Sequence, residues 1–189
     1  MEIYFSLGSN LGDREANMHE ALRLLDEQLG VHWTGLSSFW VTEPWGFESE
    51  QKFLNAAVRY ELDLEGRHHW HENKGKNEVR ENRVLEAGSG SARENAILAF
   101  GLDLLDICKN IEAEMGRCTH ALWDEDGKRI YTDRPIDIDI LFIGSERLQS
   151  ERLTVPHPLI GERDFVLFPL QEILSENIRN DFPEIFRRK

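Results

Sequence analysis

An α+β sandwich with the element order β, α, β, β, α, β is the fold class this sequence predicts. Three observations predict it. Two stretches repeat apolar residues at helical spacing, strand-like runs rich in Val, Ile and aromatic residues flank them, and a core-like strand late in the chain carries two carboxylates. The chain of 189 residues fits one domain over 1–189 that can bury a real core.

Residues 2 to 7 have strand composition and stop at GSNLGD, where Gly8, Gly12 and Asp13 supply a turn and a helix N-cap. Met18, Ala21, Leu22, Leu25 and Leu29 then repeat at i, i+3, i+4, i+7 and i+11, and Gly30 suits a left-handed C-cap. Residues 31 to 41 and 53 to 62 predict a strand pair, with EPWGFES between them as a loop. A second helix is expected near 102 to 115, burying Leu104, Ile107, Cys108, Ile111 and Met115 and ending at Gly116. The strand DRPIDIDILFIG, 133 to 144, follows. From 164 to 175 a short helix is expected, with Pro169 near its first turn or kinking it. Residues 67 to 95 are polar, contain GSGS and lack periodicity, so they are expected to form a mobile insertion before the second helix. This order is that of a ferredoxin-like sandwich, an antiparallel sheet with helices on one face and further C-terminal elements. The other face is then expected to be free for a site.

The net charge of −13 disfavours a nucleic-acid partner or an anionic membrane surface, since both attract basic charge, but it leaves room for a local anion site. Cys108 and Cys118 lie ten apart without metal-ligand spacing and are expected to be reduced thiols in a cytoplasmic protein. MEIYFSLGSN lacks the basic start and long apolar run of a secretory leader, and no stretch has membrane-spanning length.

Side chains alternate along a strand, so Asp137 and Asp139 are expected on one face with Leu141 and Ile143, and Ile136, Ile138, Ile140 and Phe142 on the other. Two neighbouring carboxylates repel unless a cation, a proton or several donors lie between them. Their hard oxygens, without Cys, suit Mg²⁺ completed by water and a polyphosphate better than Zn²⁺. Spacing alone does not separate that reading from two solvated Asp residues on an edge strand. Arg117, Lys128, Arg129, Arg134, His157 and Arg163 surround the pair in sequence, and fixed cations of this kind stabilise phosphoryl-transfer charge. Scattered surface ion pairs are the alternative. GSNLGD lacks the ending of a Walker loop and reads more readily as a turn than as a phosphate cradle. His68, His69 and His71 have no evident partner ligand. Trp45 suits either core anchoring or a covering loop, and Asn55, amid apolar residues, needs partners and could read a heterocycle.

Taken together, FSLGSNLGDRE, TEPWGF with FLNAAV, IEAEMGR, DRPIDIDILFIG and LTVPHPLIGERDFVLFPL occur in an order that resembles the 6-hydroxymethyl-7,8-dihydropterin pyrophosphokinase family. The resemblance implies pyrophosphate transfer from ATP to the pterin, giving AMP and the pterin diphosphate, in folate biosynthesis. It implies two Mg²⁺ ions held by Asp137 and Asp139, and it makes these residues, with Arg117 and Arg134, the expected catalytic set. ATP would meet Glu112, Arg117, Lys128, Arg129, Arg134, Ile138, Thr154, His157 and Arg163. The pterin would hydrogen-bond to Thr42, Asn55 and the backbone around Pro44 and Trp45, with its ring between Phe53 and Phe165. The segment between Arg117 and Arg134 is more acidic than the family's arginine-rich loop, and Pro135 follows the arginine where many relatives have proline before it. Residues 67 to 95 have no counterpart in short relatives. The protein is expected to be a monomer with no nucleic-acid or membrane partner. The competing class is a non-catalytic small-molecule-binding module on the same fold, and an RNA-binding domain of similar topology would need a basic sheet face with exposed aromatics.

Overall fold

The first strand, β1 (Glu2–Ser9), alternates Ile3, Phe5 and Leu7 with Tyr4, Ser6 and Gly8, and it becomes a central strand buried on both sides. The structure is a computed structural model and describes residues 1–47, 49–63, 91–117, 122–123, 129–130 and 132–187. Helix α1 (Arg14–Leu29) begins where the Asp13 side chain accepts the Ala16 N–H at 3.1 Å and ends at Gly30, whose φ of 66° is the left-handed cap expected of it. Its apolar stripe, Met18, Ala21, Leu22, Leu25 and Leu29, is buried, as is Leu24.

The run expected as one strand over 31 to 41 is two, β2 (Gly35–Leu36) and β3 (Trp40–Thr42), both antiparallel to β4 (Phe53–Glu61). Ser37 interrupts it. Its N–H donates to the Ala57 carbonyl at 3.0 Å, while its hydroxyl, not a backbone carbonyl, accepts the Ala57 N–H at 2.9 Å.

Helix α2 (Ala92–Glu114) starts about ten residues before the expected 102, and residues 91 to 95 therefore belong to it and not to an insertion. A capping box sets its start: Ser91 Oγ accepts the Glu94 N–H at 3.3 Å and Glu94 Oε2 accepts the Ser91 N–H at 2.7 Å. The rest of the expected insertion, 67 to 90, lies outside the described residues. Leu104, Ile107, Cys108 and Ile111 are buried, and Gly116 follows the helix at φ 88°.

Two short strands, β5 (Leu122–Trp123) and β6 (Arg129–Ile130), pair with each other; β7 (Asp137–Ile143) is the strand of the two carboxylates, and β8 (Leu148–Gln149) and β9 (Thr154–Val155) form a small hairpin. After a 3-10 turn at Ile160–Glu162 come α3 (Asp164–Ile173), α4 (Glu176–Asp181) and α5 (Pro183–Phe186). Pro169 is the sixth residue of α3, so the Phe165 carbonyl lacks its i+4 donor there.

The main sheet runs β2-β4-β1-β7, with β3 also on β4 and every pairing antiparallel. One face packs Ile3, Phe5, Leu7, Leu54, Ala56, Val58 and Ile140 against α1 and α2. The other face was expected to be bare, and half of it is not. Tyr4, Ala57, Leu141 and Phe142 pack beneath Val166, Leu167, Leu170, Ile178 and Phe182, apolar residues that need burial as much as the first core does. The end of that face carrying Ser6, Gly8, Asn55, Asp137 and Asp139 lines a cleft instead.

The expected alternation along β7 also breaks. Tyr4 pairs with Phe142 but Phe5 with Ile140, so a β-bulge leaves Leu141 as an extra residue. Phe142 therefore turns to the C-terminal helices and Ile143 to the α1–α2 core, the reverse of the expected sides. The carboxylates precede the bulge and keep their common face. No described helix is long and apolar enough to cross a membrane.

Candidate active site

Register builds the site. Gly8 on β1 lies opposite Asn55 on β4 and opposite Asp137 on β7, and Ser6 lies opposite Asp139, so these side chains form rows across three neighbouring strands. Loops and helix ends bring the rest. A cleft of about 360 Å³ is lined by Ser6, Gly8 and Asn55 at its floor, by Asp137, Asp139, Lys109, Arg117, Arg134, His157 and Arg163 on one side, and by Thr42, Glu43, Trp45, Phe47, Phe53 and Phe165 on the other. That size lies within the range of small-molecule sites.

The cationic side is an ordered network. Glu112, buried in α2, accepts Lys109 Nζ at 2.9 Å on each oxygen, Arg117 at 2.7 Å and the Ile138 N–H at 2.8 Å. Arg117 also bonds Asp137, whose other oxygen takes Arg134 at 3.0 Å. Burial works against the Asp137 charge, but Arg134, Arg117 and Lys109 outweigh it and hold the carboxyl below its ordinary range. Asp139 goes the other way. Burial and the neighbouring Asp137 push it up, and among the described residues its ion pair is with Arg163 at 3.9 Å. Burial likewise raises Glu112 against the pull of Lys109 and Arg117, and lowers His157 against the pull of Asp139. The Nδ1 of His157 accepts the Leu159 N–H at 3.3 Å, which leaves the proton on Nε2.

The aromatic side touches the cations directly. Arg163 lies 4.6 Å over the Trp45 ring and 5.7 Å from that of Phe165, and Arg134 lies 5.3 Å from the Phe53 ring. Among the described residues the buried Nε atoms of both arginines have no hydrogen-bond partner. Asn55 donates to Thr42 Oγ1 at 2.8 Å.

A family model described as 7,8-dihydro-6-hydroxymethylpterin-pyrophosphokinase matches residues 4–94 and 92–175. The chain belongs to this family. It is 36% identical over 172 residues to the 2-amino-4-hydroxy-6-hydroxymethyldihydropteridine pyrophosphokinase of Porphyromonas gingivalis, covering 90% of this chain and 89% of that one. The enzyme of the same name from Bacillus subtilis is 32% identical, with 92% and 78% covered. A folate synthesis bifunctional protein of Arabidopsis thaliana is 35% identical across 95% of this chain, which matches 28% of that longer protein.

Of the residues expected at the site, Thr42, Trp45, Phe53, Asn55, Arg117, Arg134, Asp137, Asp139, His157, Arg163 and Phe165 line the cleft. Glu112 and Ile138 lie behind the lining and are bonded to each other; Pro44 and Thr154 are not in the lining, and Thr154 is exposed on β9. Arg129 falls in β6, and Lys128, His68, His69, His71 and Cys118 lie outside the described residues. GSNLGD ends β1 and caps α1, as a turn. Ser6, Gly8, Glu43, Phe47 and Lys109 also line the cleft and were not singled out. Three of them were within reach of sequence: Ser6 and Gly8 follow from placing β1 beside β7 by period two, and Lys109 stands one helical turn before Glu112.

The donor set can be tested against Mg²⁺. Among the described residues no group of three His, Cys, Asp or Glu side chains could enclose an ion. Asp137 and Asp139 supply hard oxygens, and among the described residues the ion pair of Asp139 is the long one to Arg163 at 3.9 Å. Such a pair fits an ion that keeps waters or phosphate oxygens as its remaining ligands.

Proposed function

We propose that the cleft binds ATP along its cationic side and 6-hydroxymethyl-7,8-dihydropterin along its aromatic side, and that the protein transfers diphosphate between them in folate biosynthesis. The observation that carries this is the gathering of Lys109, Arg117, Arg134 and Arg163 in one cleft with two carboxylates and four aromatic rings. A polyphosphate supplies acceptors for these cations, and a flat heterocycle suits the rings.

In the proposed reaction the pterin hydroxymethyl oxygen attacks the β-phosphorus of ATP, the bond from that phosphorus to the oxygen bridging the α-phosphate breaks, and AMP leaves. The hydroxyl proton passes to solvent, and no side chain is assigned as general base. Arg117, Arg134, Arg163 and His157 hold the phosphates, with Glu112 positioning Arg117 and Lys109. Thr42, Asn55 and the backbone near Trp45 orient the pterin between Phe53 and Phe165. Asp137 and Asp139 are proposed to hold Mg²⁺, two ions in all, which when bound neutralise phosphate charge and draw the reacting oxygens together. Positioning supplies most of the acceleration. The βαββαβ core that places these groups is proposed to be a ferredoxin-like sandwich.

The test is to incubate the protein with Mg-ATP and the reduced hydroxymethylpterin and separate the nucleotides. AMP in equal amount to pterin diphosphate is expected. Pterin binding without AMP would instead mark a non-catalytic binding module, and ADP would mark a different transfer.

A further inference from the structure

We propose that Ser6 is a positioning residue of the cation site, its hydroxyl holding a water of the ion that Asp137 and Asp139 are proposed to bind. The inference rests on that reading of the two carboxylates and adds to it an oxygen from the neighbouring strand.

Period two puts Ser6 on the face of β1 that also carries Tyr4 and Gly8. Tyr4 belongs to the apolar core beneath the C-terminal helices and Gly8 to the floor of the cleft, so Ser6 stands at the border between them. Its row across the sheet reads Ala57 on β4, Ser6 on β1 and Asp139 on β7. Ala57 is 1% exposed and Ser6 8%, so a methyl group fills this part of the face on one strand where the next strand carries a hydroxyl. Packing does not ask for that oxygen. A hydroxyl withdrawn from water costs stability unless it is bonded. Among the described residues the Ser6 hydroxyl has no hydrogen-bond partner, and the residue lines the cleft.

Residues directly opposite each other on adjacent strands have their Cβ atoms about 4.5–5.5 Å apart, which brings Ser6 within one water of the Asp139 carboxylate. Asp137 has Arg117 on one oxygen and Arg134 on the other, whereas among the described residues the ion pair of Asp139 is the long one to Arg163 at 3.9 Å. Asp139 therefore keeps more of its lone pairs for an ion and its waters. Mg²⁺ gives up water reluctantly and retains several waters among its ligands. Water on a cation is polarised and donates strongly, and a serine hydroxyl has lone pairs to accept that bond while its own proton points to a carboxylate. A hydrogen bond of this kind orients the ligands it touches and tightens the ion.

The experiment titrates Mn²⁺, whose free ion has an electron-spin resonance signal, into the intact protein saturated with a non-hydrolysable ATP analogue, with the analogue alone as reference. Ser6→Ala is expected to raise the Mn²⁺ Kd about three- to tenfold, the scale of one hydrogen bond. Ser6→Thr keeps the oxygen on a β-branched side chain that suits a strand, and its Kd is expected within about twofold of wild type. In a chelator Ser6→Ala is expected to melt at the wild-type temperature or above it, because the group removed is an unbonded hydroxyl. An unchanged Mn²⁺ Kd in Ser6→Ala overturns the inference. So does an equal loss in Ser6→Thr, which marks packing, or a lower melt of Ser6→Ala in the chelator, which marks a bond inside the protein. A wild type that holds no Mn²⁺ beyond the analogue alone overturns it together with the assignment of the carboxylates. AMP release by the wild type is scored separately: a protein that makes AMP while Ser6→Ala keeps its Mn²⁺ affinity overturns this inference alone, whereas one whose Mn²⁺ affinity falls in Ser6→Ala without any AMP supports it and overturns the reaction.

Discussion

Glu112 of α2 accepts the backbone N–H of Ile138 at 2.8 Å, which fixes a buried carboxylate to the strand position between Asp137 and Asp139. The same group holds Arg117 and Lys109, so one side chain sets both the height of β7 against α2 and the direction of two cations.

Truncating it removes all of this at once. Glu112→Ala is expected to lower stability by about 3 kcal/mol, because the Ile138 N–H and the Arg117 guanidinium lose a buried acceptor together. Glu112→Gln keeps an acceptor for Ile138 and should lose only about 1–2 kcal/mol, while turnover falls in both. Urea unfolding of the two variants checks the order, and an alanine variant as stable as wild type would show that the clamp contributes nothing.

The two aspartates should separate when stability and activity are measured side by side. Asp137→Asn and Asp139→Asn are each expected to cut AMP formation by orders of magnitude, since both carboxylates are proposed to hold Mg²⁺. Without ions, Asp137→Asn should destabilise the protein by about 2 kcal/mol, because Arg117 and Arg134 lose their shared counter-charge. Asp139 sits under repulsion from Asp137 with Arg163 only at 3.9 Å, so Asp139→Asn should leave the melting temperature unchanged or raise it. Thermal melts in a chelator test the contrast, which fails if the two variants melt alike.

The difference between these carboxylates was not legible in the sequence, although their common face was. Period two places Asp137 and Asp139 together without any structure, but which one the arginines occupy depends on where Arg117 and Arg134 arrive in space. Local signals were read where one residue carries them: Asp13 at the N-cap and Gly30 in the left-handed cap both act as their types dictate. The bulge at Leu141 has no such signal, since Ile, Leu and Phe fit either side of a strand buried on both, and the reversed Phe142 packs on Phe182 and Phe186 at the C-terminal end of the chain. Ser91 and Glu94 did carry one, the capping-box spacing, hidden by the polar run before it. The covering of half the second face was less accessible still, because the apolar residues of 164–175 reveal that a helix needs burial but not which surface it finds.

Aromatic contacts set a further expectation. Phe53 and Phe165 line the side proposed for the pterin, yet each also lies near an arginine proposed to hold phosphate. Phe53→Ala and Phe165→Ala are expected to raise the pterin Kd about tenfold from lost stacking and burial. The ATP-analogue Kd should rise by less than about threefold, from a weakened cation–π contact alone. Separate calorimetric titrations of the two ligands decide it, and equal losses would point to disruption of the fold.

Gly8 offers the sharpest separation of stability from binding. It lies on the central strand, opposite Asn55 on one side and Asp137 on the other, at an ordinary strand position without positive φ. An alanine there is not strained, and replacing glycine in a strand interior gains about 0.5–1 kcal/mol from a less flexible unfolded chain. Its Cβ, however, would stand 3.0 Å from Asn55 Oδ1 and 3.6 Å from Phe53 Cδ1. Asn55 cannot yield freely because its amide is bonded to Thr42 at 2.8 Å. The carboxamide must shift by a few tenths of an ångström, and the two terms nearly cancel in stability while the recognising edge is displaced. Gly8→Ala is therefore expected to unfold within about 1 kcal/mol of wild type, to bind the ATP analogue as before, and to lose about tenfold in pterin affinity, the scale of one hydrogen bond misaligned. Calorimetry with each ligand reads this directly, and a Gly8→Ala protein with unchanged pterin affinity would remove Asn55 from the proposed recognition of the ring.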